Sequence, residues 1–307
     1  MDEMVAKLEA ALDAQREAED RKKEAELAHA AQEVAEQAAG LAKAAEELAE
    51  KLEAAGCKED AAKVREWKEM AEGGGDAGQS GEELAQAAHD AHELAAKLRQ
   101  EGKEAEAAEV EKLALLLDDA AGRKLEVERM EKEKEAQQDM KDAAEAGHAT
   151  ADKLREDGCE ELAEMVDNVV QQVEHALGGG EIDVEEVEHA LGDAKAAAAK
   201  LRKEGKEDEA AQMDEIVAQL EAALDAHNEA GDRKKAAELV KAAGEVAEQA
   251  AALAEAAGEL ADKLDGEDAA KVKEWQGMAE GGEQSGEELE KAAHDAHELA
   301  AKLRMEG

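Results

Sequence analysis

Paired histidines are the feature of this sequence that most suggests chemistry. Two pairs are spaced three residues apart: His89 with His92, and His294 with His297. On a helix this spacing places both imidazoles on one face, one turn apart. Together with the glutamate that follows each pair, Glu93 or Glu298, they could bind a divalent metal ion.

The apolar pattern around the first pair favours a different interpretation. Leu84, Ala91 and Leu98 define the stripe that a helix here would bury, and both histidines fall on the opposite side. The corresponding positions in the middle of the chain hold Gly192 and Lys195. We therefore interpret the paired histidines as solvated surface side chains and keep metal binding as the rival hypothesis.

Other candidate sites are weaker. Glu-x-x-His motifs on core-facing helices build di-iron centres, and Glu26-Leu-Ala-His29 and Gln86-Ala-Ala-His89 partly match. Glutamate is so frequent here that such matches arise by chance. His175 and His189 lie on either side of a glycine-rich stretch, and we interpret both as solvated.

The two cysteines and two tryptophans favour structural roles. Cys57 and Cys159 each follow a glycine that ends a helix, with no nearby histidine to activate a thiol. We expect neutral turn residues. Trp67 and Trp275 each follow an apolar position by three residues, which predicts core anchors for short helices. The glycine-rich stretches lack the strand and the GK[ST] sequence of a phosphate-binding loop, so we expect connectors.

A long internal repeat organises the chain. Residues 1–102 reappear as 213–307, with short deletions near Gly266 and Gly282, and the middle part is a more diverged copy. Deletions confined to turns are what intact helices tolerate. We expect three tandem helical units, at 1–102, 103–205 and 206–307.

Helix ends can be placed from glycines and from shifts in apolar phase. A Lys-Leu pair followed closely by glycine recurs, which is typical of a helix ended by a left-handed residue. Phase shifts predict turns at Gly56 and Gly102, and also near Asp20, Gly122 and Gly231, whereas Gly40 lies inside an unbroken pattern. Capping boxes begin helices at three places: Ser80, Asp183 and Ser285. We expect four helices per unit, about twelve in all, in an elongated antiparallel bundle or solenoid, with a closed ring as the alternative.

Composition supports an all-α protein and excludes several functions. The 307 residues include no Pro, Phe or Tyr, and 82 acidic against 38 basic residues give a formal net charge of -44. Such a surface repels nucleic acid and anionic lipid. No secretory signal and no apolar stretch long enough for a membrane span is visible, so we expect a soluble cytoplasmic protein.

The simple alphabet, the segments KEAEAAEVEKLA and KEDEAAQMDEI, and the tandem plan resemble computationally designed helical repeat proteins. A weaker resemblance, limited to the turns such as Ala96 to Val110, is to spectrin-type repeats. The first resemblance implies a stable scaffold without evolved activity.

We therefore predict a structural helical scaffold that is not an enzyme. The prediction includes no catalytic, cofactor-binding or metal-binding residue and no required partner. The alternatives are a helical-repeat module that binds another protein and a metal-binding bundle that uses the paired histidines. A binding module would use a second, alanine-rich helix face, formed by Ala85, Ala88, Ala95 and Ala96. Otherwise we expect every apolar stripe to be buried between units.

Overall fold

Four glycines end helices in the way the sequence predicts. Gly56, Gly102, Gly158 and Gly205 have φ values of 87°, 76°, 76° and 77°. In each turn the residue after the glycine donates its backbone N–H to a leucine carbonyl five residues earlier, as Lys103 does to Leu98 at 2.9 Å. This is the Schellman arrangement, which satisfies the last carbonyls of the helix.

The computed structural model describes residues 2–72, 80–178, 182–263, 270–272 and 275. Those residues contain helices and no strand, which confirms the all-α prediction. The helices with defined bounds are α1 (Asp2–Ala54), α2 (Lys58–Glu72), α3 (Gly81–Gln100), α4 (Glu104–Glu156), α5 (Glu160–Leu177), α6 (Val184–Lys203) and α7 (Glu207–Lys263). The expected total of twelve helices is not confirmed.

Two of the three predicted helix starts fall in the described part of the chain, and both are confirmed. Ser80 and Glu83 form a reciprocal capping box before α3: the Ser80 hydroxyl accepts from the Glu83 N–H, and the Glu83 carboxylate accepts from the Ser80 N–H. Asp183 accepts a bond from the Glu186 N–H and caps α6. The third start, Ser285, lies outside the described residues.

Three predicted turns are wrong. Helices α1, α4 and α7 pass without interruption through Asp20, Gly122 and Gly231 and are 53, 53 and 57 residues long. The shift in apolar phase in α4 has another cause. Its first part packs in one core cluster and its last part in another, so the buried side of the helix changes along its length. Gly40 lies inside α1, as predicted.

The described chain divides into two compact units. The first comprises residues 1–125 and 236–307, and the second comprises residues 126–235. In the first, the later part of α1 packs with α2, α3 and the beginning of α4 around a core of alanine, leucine and valine. Trp67 is 3% exposed within it, which confirms the prediction of a core anchor. Trp275 is half-buried.

The second unit is a four-helix arrangement of the end of α4, α5, α6 and the beginning of α7. The polar stretch 125–140 of α4 is helical throughout. Ala136 and Met140 are fully buried, and Arg129 forms ion pairs with Glu126 and Glu133. Among the described helices, none combines the length and apolar character needed to cross a membrane.

Candidate functional site

The two members of the first histidine pair have different environments. His89 is exposed, with 66% of its side chain accessible, and its Nε2 atom lies 3.6 Å from Glu93. The His92 side chain is only 22% accessible. The prediction of two solvated histidines is therefore correct for His89 and wrong for His92.

His92 bridges two carboxylates on the neighbouring helix. From α3, its Nδ1 atom lies 3.0 Å from Glu111 Oε1 and its Nε2 atom lies 2.8 Å from Asp118 Oδ2, both on α4. Arg99, about two helix turns after His92 on α3, places its Nη1 atom 3.4 Å from the other oxygen of Glu111. The four side chains form a charge-balanced polar cluster beside the core of the first unit.

Electrostatics in this cluster favour the charged imidazole. Burial lowers the pKa of His92, but the hydrogen bonds and charges of Asp118 and Glu111 outweigh burial and raise the pKa from 6.5 to about 9. His92 is therefore an imidazolium at neutral pH and donates from both ring nitrogens. An imidazolium has no lone pair for a metal ion and cannot accept a proton as a general base.

The arrangement links α3 to α4 through the His92 side chain. Over the described ranges, no group of three or more His, Cys, Asp or Glu side chains is placed to hold a metal ion. His294, His297 and Glu298 lie outside the described residues.

The second unit has an ion pair at the corresponding position, made from different residues and more exposed than the His92 cluster. Lys195 occupies the position of His92 relative to the following Lys-Leu-Arg sequence, and its Nζ atom lies 2.8 Å from Glu221 on α7. Glu221 stands where Asp118 stands relative to the turn glycine. The position thus holds a cation paired with a carboxylate in both units, and the imidazole itself is not retained.

Each of the four turns is also spanned by an ion pair, which we call the turn ion pair. It joins the residue three before the turn glycine to the residue nine after it. The pairs are Glu53 with Arg65, Arg99 with Glu111, Arg155 with Asp167, and Arg202 with Asp214. In the first turn the charges stand in the opposite order from the other three turns, so complementarity is kept while the residue types are not.

The cysteines and the alanine face are structural. Cys57 lies in the turn between α1 and α2, as expected, but its side chain is 7% exposed and belongs to the core of the first unit, while Cys159 is half-buried. Ala88 and Ala95 are fully buried, and Ala85 and Ala96 are half-buried. The alanine face of α3 is therefore packed within the chain and does not form an open surface.

The remaining candidate residues lie at the surface. His29 is 74% accessible, and Glu26 pairs with Lys22, so this motif does not point into a core. His175 is 77% accessible and lies beside Glu186 at 3.7 Å. It borders a shallow polar hollow of about 470 Å³ between α5 and α6 that Asn168, Gln172 and Asp193 also line.

The polar cluster around His92 was missed because the apolar stripe marks only the centre of a buried face. The repeat contains the signal that could have found it: two cations, His92 and Lys195, each followed at matching distances by acidic residues. No protein-family model, curated protein or solved structure matches this chain.

Proposed function

We propose that this chain is a structural helical scaffold of three tandem sequence repeats, at 1–102, 103–205 and 206–307, and is not an enzyme. The observation that carries the proposal is the exchange of His92 for Lys195 at one position of the repeat. A catalytic or metal-binding imidazole would not be interchangeable with an ammonium group, whereas a cation that pairs with a carboxylate is.

The turn ion pairs support the same conclusion. Two of these pairs join helices in the same way although their charges stand in opposite order: Glu53 with Arg65, and Arg155 with Asp167. An ion pair between helices tolerates such a reversal, whereas a catalytic group does not. The resemblance to designed helical repeats is consistent with a protein of this kind, since such scaffolds carry no evolved activity.

Replacement of His92 by the residue that the second unit uses tests the proposal. His92→Lys should retain most of the thermal stability of the parent, whereas His92→Ala should lose clearly more, because Asp118 then lacks its cation and Glu111 keeps only Arg99. His89→Ala is the matched control on the exposed face. Melting is followed by circular dichroism at pH 7.

A titration with Zn²⁺ and Ni²⁺ addresses the metal-binding alternative in the same variants. Tight, stoichiometric binding by the parent that is lost in both His92 variants would contradict the scaffold proposal. Equal, weak binding by the parent and both variants supports it.

A protein-binding module is the second candidate, and one observation favours it. The alanine face does not supply the surface, since it is buried, but α7 exposes two large apolar side chains, Leu239 and Val246.

A further inference from the structure

An apolar strip lies exposed on α7 in the first unit. Leu239 is 70% and Val246 is 66% exposed, and their spacing of seven residues places them on one side of the helix. Together with Leu116 they are the large hydrophobic side chains that are exposed in the described part of the chain. The expectation that packing buries every apolar stripe is wrong here.

The second unit shows how the corresponding side of its long helix is covered. When the Lys-Leu pairs at 153–154 and 263–264 are aligned, Val246 corresponds to Ala136, which is fully buried. The first half of α7 runs antiparallel along α4 there. Two ion pairs between the helices show this, Lys153 with Glu209 and Lys132 with Glu229, each at 3.2 Å. This register places Ala226 opposite Ala136.

The sequence of that covering segment occurs a second time. Residues 213–235 recur as residues 1–23, with differences only at positions 4, 7, 15, 16 and 19. In the second unit its buried positions are Ile216, Leu220, Ala223, Ala226 and Ala230. The equivalent residues at the other end of the chain are Met4, Leu8, Ala11, Ala14 and Ala18. The copy thus repeats the apolar pattern of a helix that covers a long helix.

We propose that residues 1–23 of a second copy dock antiparallel on the Leu239–Val246 side of α7, with Ala14 opposite Val246. Helix α1 is continuous from Asp2 to Ala54, so the same segment could reach that side within its own chain only if the helix broke. The contact joins different surfaces of the two copies and is therefore head-to-tail, which allows further copies to add.

An ion pair of the second unit can recur in this contact. Arg233 of α7 lies 2.8 Å from Glu128 of α4, and Arg21 and Glu238 hold the corresponding positions. Against the contact stands the net charge of -44 carried by each copy. Salt screens this repulsion, so assembly should increase with ionic strength.

Sedimentation velocity of the full chain over a range of concentrations, at low salt and at roughly 0.5 M salt, tests the proposal. We expect a series of oligomers that grows with concentration and salt. Val246→Asp should remove the docking side and Leu8→Asp the docking segment, so each variant alone should be monomeric. Leu116→Ser, which changes an exposed leucine elsewhere, should assemble like the parent.

Mixing the two monomeric variants is the decisive measurement. Each retains the surface that the other has lost, so an equimolar mixture should form a dimer and nothing larger. A mixture that stays monomeric would overturn the proposal, and so would assembly abolished by Val246→Asp but unaffected by Leu8→Asp, since the contact would then join two α7 helices.

The proposal goes beyond the scaffold function and fails separately from it. A parent chain that is helical by circular dichroism but monomeric under all conditions would refute the docking and leave the scaffold proposal standing.

Discussion

Raising the pH should weaken the cross-link between α3 and α4 through a single side chain, His92. Its pKa is raised to about 9 in the folded chain, against 6.5 for an ordinary histidine. A raised pKa contributes stability that is complete below pH 6.5 and is lost as the pH approaches 9. The loss is about 1.4 kcal/mol per pH unit, so the protonated cross-link contributes roughly 2–3 kcal/mol at pH 7 and almost nothing at pH 10.

The measurement compares the parent with His92→Gln by urea unfolding at pH 7 and at pH 10, followed by circular dichroism. Glutamine keeps hydrogen-bonding groups but removes the titration, so the free-energy cost of the substitution should be larger at pH 7 by roughly 2–3 kcal/mol. Because the parent and the variant contain the same lysines, the effect of lysine titration cancels when their free energies of unfolding are subtracted. His89→Gln, at the exposed member of the pair, is the matched control.

Proton NMR gives an independent readout, because the His92 imidazole should titrate near pH 9. The reasoning fails if that ring titrates at or below pH 6.5, or if His92→Gln costs the same at both pH values.

Three further predictions concern packing and charge. A Cβ added at Gly81 would lie 2.8 Å from the backbone nitrogen of Leu125, so Gly81→Ala should lower the free energy of unfolding by about 1–3 kcal/mol. Gly122 lies inside a helix with nothing within 4 Å of an added Cβ, so Gly122→Ala should raise the free energy of unfolding by up to about 1 kcal/mol. Equal effects of the two substitutions would contradict the packing. Reversing the charge of either Glu53 or Arg65 should lower the melting temperature, and reversing both charges should restore it. A double variant that melts no higher than the single variants would show that the pair is not coupled. Because the net charge is -44, the melting temperature should rise with ionic strength, and a fall would mean that attractive pairs outweigh repulsion.

The sequence predicts the turns of this fold where a local reason exists. Gly102 ends its helix because a left-handed residue is needed after Leu98, and the pattern around that glycine is local. Ser80 and Glu83 begin α3 by contacts that span only three residues. Such features depend on neighbours in sequence and can be read from one segment.

The errors arise where the cause lies in another part of the chain. Gly122 was predicted to end a helix because the apolar phase changes there, but the phase changes because α4 packs against different helices along its length. His92 was assigned to solvent because the carboxylates that flank it, Glu111 and Asp118, come from the following helix. Neither fact can be read from a single helix.

The first and third turn ion pairs have their charges in opposite order, and this has a consequence for how the chain folds. Helical hairpins of similar design in one chain can exchange partners during folding and trap misassembled states. If α2 packed against the end of α4 in place of α5, Arg65 would meet Arg155, and α5 packed against α1 would bring Asp167 to Glu53. Both wrong pairings place like charges together, so these ion pairs disfavour an exchange between the first and third hairpins while the chain is still assembling.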